Sequence, residues 1–244
     1  MSRIGYTYGS EWHLLRYLSY HRDEFDLAVE ATIPGCSVLG WLDSTFERRP
    51  SSGDGGPPRF LDRKYENLDF LPGPDRDRLR GPLGGFWPST GSHPSWDAVG
   101  RVKVGEHTSW LIVEAKSHLG ELNSTCKAKR GDVGGGRERI VGAFRSTMES
   151  LGISGDAESW MGPFYQFCNR IAFLDFLDGQ GIPAHLLLDY FLGDRFPPGR
   201  GVACPEAEAG WRAALDDMEG HVGWRDGNRL SHRVHKLFLP VSPA

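Results

Sequence analysis

The chain is expected to fold as an α/β structure with a mixed β-sheet flanked by helices. Three observations point there. Helical periodicity opens the sequence. A hairpin-like pair of apolar runs fills its middle. The later strand-like runs alternate with helical stretches, an order that suits a mixed sheet. At 244 residues, with 39% hydrophobic and 25% charged side chains, the chain can bury a sizeable core. A single domain spanning 1–244 is expected, with loop insertions near 50–60 and 124–136.

The elements follow in order. Ser10–Arg22 (SEWHLLRYLSYHR) reads as a helix, with Ser10 as N-cap, Glu11 in the first turn, and Trp12, Leu14, Leu15 and Leu18 on a buried side. EFDLAVEAT continues as a second helix. Pro34-Gly35 breaks it, and SVLGWLD is a short strand. PSSGDGGPP, 50–58, is a loop by composition, and a short helix is expected near Arg63–Phe70. Trp96–Val104 and Thr108–His118 are strands joined by a tight turn at Gly105-Glu106-His107. From Leu119 the chain turns helical. KAKRGDVGGGRER is a basic, glycine-rich connection into the amphipathic helix RIVGAFRSTMESLGI. Phe164–Leu177 is a strongly apolar helix, AHLLLDYFLGD a strand, Glu206–His221 a helix and His232–Pro240 a final strand.

The formal net charge is −4, so bulk charge does not mark the protein as one held on nucleic acid; a polyanion site would be local or metal-assisted. Cys36, Cys126, Cys168 and Cys204 form no C-x-x-C pair and no disulfide framework. The N-terminal residues lack an apolar signal core, and no run approaches the ~20 apolar residues that cross a bilayer. A cytoplasmic protein without a membrane partner is expected.

Glu114 and Lys116 stand out because they follow Trp110-Leu111-Ile112-Val113, an apolar run of central-strand character. Side chains alternate across a strand, so Glu114, Lys116 and His118 are expected on one face, with Ala115 on the other. Asp97 opens the preceding strand, and the hairpin brings it to the same end. Carboxylates grouped in this way suit Mg²⁺, which takes one or two protein carboxylates and keeps waters for a phosphate. A lysine beside them can orient water or balance negative charge. The competing reading is a solvent-facing strand end carrying a weak ion pair. Gln166, Asn169 and Arg170 form a polar stripe on an otherwise apolar helix. Lys127, Lys129 and Arg130 belong to a basic loop that can contact phosphate or stay solvated. A G-x-S-x-G elbow and a complete phosphate loop are both missing from the sequence.

Asp97 followed by Glu114-Ala115-Lys116 resembles the PD-(D/E)XK nuclease superfamily, although Trp96 stands where the usual proline would be. The stretches WDAVGR and VEAKSHLGEL also resemble a family of bacterial proteins. The superfamily resemblance implies a restriction-endonuclease-like core. It implies catalytic roles for Asp97, Glu114 and Lys116. Metal ligation would come from Asp97, Glu114 and the Ala115 carbonyl, with Glu11 as an optional ligand. Gln166 matches a glutamine that some members carry on the helix after the motif. Arg170, Lys127, Lys129 and Arg130 are further candidate substrate contacts. The implied activity is hydrolysis of phosphodiester bonds, in DNA before RNA, with Mg²⁺ or Mn²⁺. The alternative is a catalytically silent nucleic-acid- or protein-binding module of the same fold, serving a defence or toxin system.

Overall fold

The computed structural model describes residues 7–42, 47–49, 59–61, 65–89, 93–131, 135–197 and 201–242. Two helices come first, α1 (Ser10–Tyr20) and α2 (Arg22–Thr32), followed by strand β1 (Cys36–Trp41). Two short pairs follow. β2 (Glu47–Arg49) pairs with β3 (Arg59–Leu61), and β4 (Tyr65–Glu66) pairs with β5 (Ser95–Trp96), with α3 (Gly73–Phe86) between them in sequence. The central hairpin is β6 (Ala98–Val104) and β7 (His107–Lys116). Then come α4 (Gly136–Leu151), α5 (Tyr165–Gly179), β8 (Ala184–Leu192), α6 (Glu208–Val222) and β9 (Val234–Pro240).

The five-stranded sheet runs in the order β1-β6-β7-β8-β9. β1, β6 and β7 form an antiparallel meander, and β7, β8 and β9 are parallel. The crossovers through α4–α5 and through α6 account for the switch, because a parallel neighbour cannot be reached by a tight turn. Both faces of the sheet are covered. Ile112, Leu186, Leu188 and Tyr190 pack against α3 to α6. Leu111, Val113, Ala115, Leu187 and Phe191 pack against α1 and α2. β8 is buried along nearly its whole length, which explains its almost unbroken apolar sequence.

The structure departs from expectation at three places. No helix covers Tyr65–Phe70: the chain pairs as β4 and then turns, while 62–64 lie outside the described residues. The helix lies further on, at α3. Gly81, Pro82, Gly84 and Gly85 weaken the helical signal there, but Pro74 fits the first turn. Leu79 is buried, Leu83 and Phe86 pack against the core, and the Phe86 ring stacks on Phe176 with centroids 4.6 Å apart. Finally, β7 stops at Lys116 rather than His118. The N–H groups of Ser117 and His118 both donate to Glu121 Oε2 (2.5 and 3.3 Å), which turns the chain into a short 3-10 segment at Leu119–Leu122. Of the two expected insertions, 50–58 lies outside the described residues. In the second, 124–131 is irregular, with 132–134 also outside.

Candidate active site

The last turn of β7 carries the polar cluster. Glu114 points towards α5 and is only 4% exposed. A lone carboxylate at that depth would be costly, but both its oxygens are answered by cations. Oε2 accepts from Arg170 Nε (2.7 Å), and Oε1 pairs with Lys116 Nζ. Lys116 Nζ also donates to Gln166 Oε1 (3.1 Å). Burial alone would raise the Glu114 pKa; Arg170 and Lys116 outweigh it and hold the carboxyl down at about 2. Arg170 is itself fixed from three sides. Nη1 donates to Asn169 Oδ1 (2.6 Å), Nη2 donates to the Ser95 carbonyl (2.7 Å), and the guanidinium lies 4.8 Å from the Trp96 ring centre. The solvent-facing strand end is therefore excluded for this pair.

Asp97 approaches the end of β7 by a different route. Trp96 packs with the α3–α6 layer, yet Ala98 packs with the α1–α2 layer. Strict alternation would put both on one face, so the strand bends at Asp97. The bend carries the carboxylate onto the main chain of β7, where the Ala115 N–H donates to Asp97 Oδ2 (2.9 Å). Asp97 is thus bonded to the residue standing between Glu114 and Lys116, and it is 8% exposed.

Asp189 is the residue that sequence reasoning missed. It pairs with Ala115 across β7 and β8, on the α1–α2 face, and is fully buried. Neither of its carboxylate oxygens has a hydrogen-bond partner. Burial first, and then the charge of Asp97, push its pKa well above the ordinary carboxylate value. The signal was available: Asp189 is the sole charged residue in the apolar run Leu186-Leu187-Leu188-Asp189-Tyr190-Phe191.

The other expected site residues divide. Gln166 and Arg170 join the cluster, as described. His118 does not share the strand face of Lys116, because β7 has ended; its ring stands edge-on to Phe196 instead. Glu11 sits in the first turn of α1, which covers the sheet face opposite Glu114. Beside it, Ser10 Oγ donates to Glu121 Oε1 (3.0 Å), so this helix start adjoins the turn after β7. Lys127 lines a cleft of about 830 Å³ together with Gln166, Asn169 and Arg170. Arg130 is turned towards Glu158 (3.6 Å), and Lys129 is exposed.

Among the described residues, no three His, Cys, Asp or Glu side chains are arranged as a metal-binding group. Mg²⁺ asks for less, since one or two carboxylates with waters suffice. Asp97 and Asp189 both adjoin Ala115, and the unpartnered Asp189 carboxyl offers oxygen of the kind a hard divalent cation takes. Glu114 would have to share its oxygens with Lys116 and Arg170 to join them. Comparison of the chain with protein-family models, with curated proteins and with solved structures gives no match.

Proposed function

We propose that the protein is a divalent-metal-dependent nuclease with a restriction-endonuclease-like core, acting on DNA in preference to RNA. The observation that carries this reading is the hydrogen bond from Ala115 N–H to Asp97, which ties one carboxylate to the Glu114-Ala115-Lys116 strand end. The order of helix, three-stranded meander, helices and parallel strand supports the same core.

In this reading Asp97 and Glu114, with the Ala115 carbonyl, would hold Mg²⁺ or Mn²⁺, while Asp189 lies within reach of the Asp97 charge on the sheet face opposite Glu114. The bound ion supplies Lewis-acid stabilisation of the phosphoryl oxygens and a water of lowered pKa. Lys116 orients the attacking water and balances charge that develops on the phosphate. Gln166 steadies the Lys116 ammonium. Arg170 keeps Glu114 ionised and tied to α5, so it is a positioning residue.

A second reading is favoured by one feature. The Glu114 carboxylate is already neutralised by Lys116 and Arg170, as a binding module without turnover would require. The deciding measurement is cleavage of a panel of labelled single- and double-stranded DNA and RNA with Mg²⁺ or Mn²⁺. Metal-dependent cutting that Lys116→Ala abolishes supports the nuclease. No cutting of any substrate leaves the binding module.

A further inference from the structure

The cleft of about 830 Å³ lies within the size range of small-molecule pockets, roughly 300–1,000 Å³. That volume is of the order of one or two nucleotides. In a chain of net charge −4 its chemistry is unusual. Among the described residues that line it there is no Asp or Glu, while Lys127 and Arg170 are both present. Lys127 is exposed and has no ion-pair partner among the described residues. Of the two amides on its α5 wall, that of Gln166 is oriented as a donor. Gln166 spends its carbonyl oxygen on Lys116, and Asn169 spends its own on Arg170. Gln166 therefore keeps its NH₂ end for another partner, whereas the Asn169 side chain is also hydrogen-bonded to Tyr165. Tyr165, half-buried, supplies an aromatic wall, and Trp87, buried in the core, also borders the cleft. The first residue of α4, Gly136, also lines the cleft, and the helix start carries no side-chain cap. Its amide N–H groups add to the donor surplus.

We infer that this cleft binds a nucleotide unit of single-stranded nucleic acid, with the phosphate on Lys127 and the amide donors and the base against the aromatic wall. The choice of a nucleic-acid strand rests on the nuclease reading. The anion-and-ring chemistry rests on the cleft alone. Duplex DNA hides its base faces in the stack, whereas an unpaired strand offers them to aromatic side chains. Gln166 links the cleft to Lys116, so a strand seated there passes the end of β7.

The test uses the full chain in EDTA, so that binding is read without cleavage. Fluorescence anisotropy compares a labelled single-stranded dT oligomer with the same length of duplex, and calorimetry adds free thymidine monophosphate. The single strand is expected to bind about 10-fold or more tighter than the duplex. Lys127→Glu and Thr125→Glu, both at exposed cleft positions, are expected to weaken it. Lys127→Ala is expected to lower the salt slope by about 0.7. Equal or tighter duplex binding overturns the inference, as does unchanged affinity in both Glu variants with circular dichroism intact. Binding of the monophosphate as tight as that of the oligomer overturns the strand and leaves a free-nucleotide pocket. The two readings fail separately. Single-strand binding without any metal-dependent cutting ends the nuclease and keeps the cleft. Cutting that ignores Lys127 and Thr125 does the reverse.

Discussion

Arg170 is the residue on which the site's order depends. Its guanidinium is 3% exposed as a side chain and faces a 4% exposed carboxylate. Such a pair adds little net stability over an apolar one, but removing one partner strands the other charge. Arg170→Met is therefore expected to destabilise the fold by about 3–5 kcal/mol, read from the urea unfolding midpoint. A double change with Glu114→Gln should recover much of that loss. If the single change proves neutral, Glu114 is not held as described. The Glu114 pKa, lowered to about 2, has a definite sign. The ionised form is favoured on folding, so its contribution is complete above the ordinary value of 4.5 and is lost as pH falls towards 2. Asp189 has the opposite sign. Its raised pKa means that the folded chain keeps a proton the unfolded chain releases above about 3.8. Stability therefore drops as pH rises through that range. Asp189→Asn removes the ionisation and should raise the melting temperature at neutral pH, with the gap closing near pH 4. A gap of equal size at both pH values would sink this account. Added Mg²⁺ is expected to stabilise wild type and not the variant.

At the scale of elements, periodicity and breaks in the sequence read well where burial is one-sided or complete. Residues 10–20, 136–151 and 208–222 show an apolar helical stripe, and the helices stand there. β7 and β8 read as strands because apolar and β-branched residues run together. α3 was hidden because glycine and proline mask a helix that packing through Leu79 and Phe86 sustains. The end of β7 was hidden because Glu121, four residues beyond Ser117, sets it through a local hydrogen bond. The site was partly legible: Glu114, Lys116 and Asp97 stood out by type and spacing. The Arg170 bond to Glu114 spans 56 residues, a separation that no local pattern reports. At the opposite end of β8, His185 Nδ1 and His235 Nε2 on β9 lie 3.0 Å apart. Burial first, then neighbouring histidines, bring both pKa values down to about 4. The neutral forms are favoured on folding. Stability is therefore complete above the ordinary value of 6.5 and falls as the unfolded chain takes up protons between pH 6.5 and 4. His235→Gln should flatten the melting-temperature profile across that window. An unchanged profile would mean that the β8–β9 pair does not titrate.

For the whole molecule, charge decides how a polyanion can be held. With 32 acidic against 28 basic side chains, net charge gives no long-range attraction for a nucleic acid, and the cleft and the end of β7 supply local donors. Affinity should then depend on a few local contacts and show a shallow salt slope. That separates the two functional readings through Lys116, which sits between the buried Glu114 and the cleft residue Gln166. If Lys116 acts on water or on charge that appears only in the transition state, Lys116→Ala lowers turnover by roughly 100- to 1,000-fold while binding in EDTA changes little. If Lys116 is a ground-state phosphate contact, the same variant weakens binding and reduces the salt slope, with no catalytic step left to impair. Lys127→Ala, at an exposed cleft position, sets the scale of a plain phosphate contact in both assays. The nuclease reading requires Lys116→Ala to differ from Lys127→Ala in turnover far more than in affinity. Identical behaviour of the two variants would assign Lys116 to binding and leave the Asp97–Glu114 strand end as a structural ion cluster.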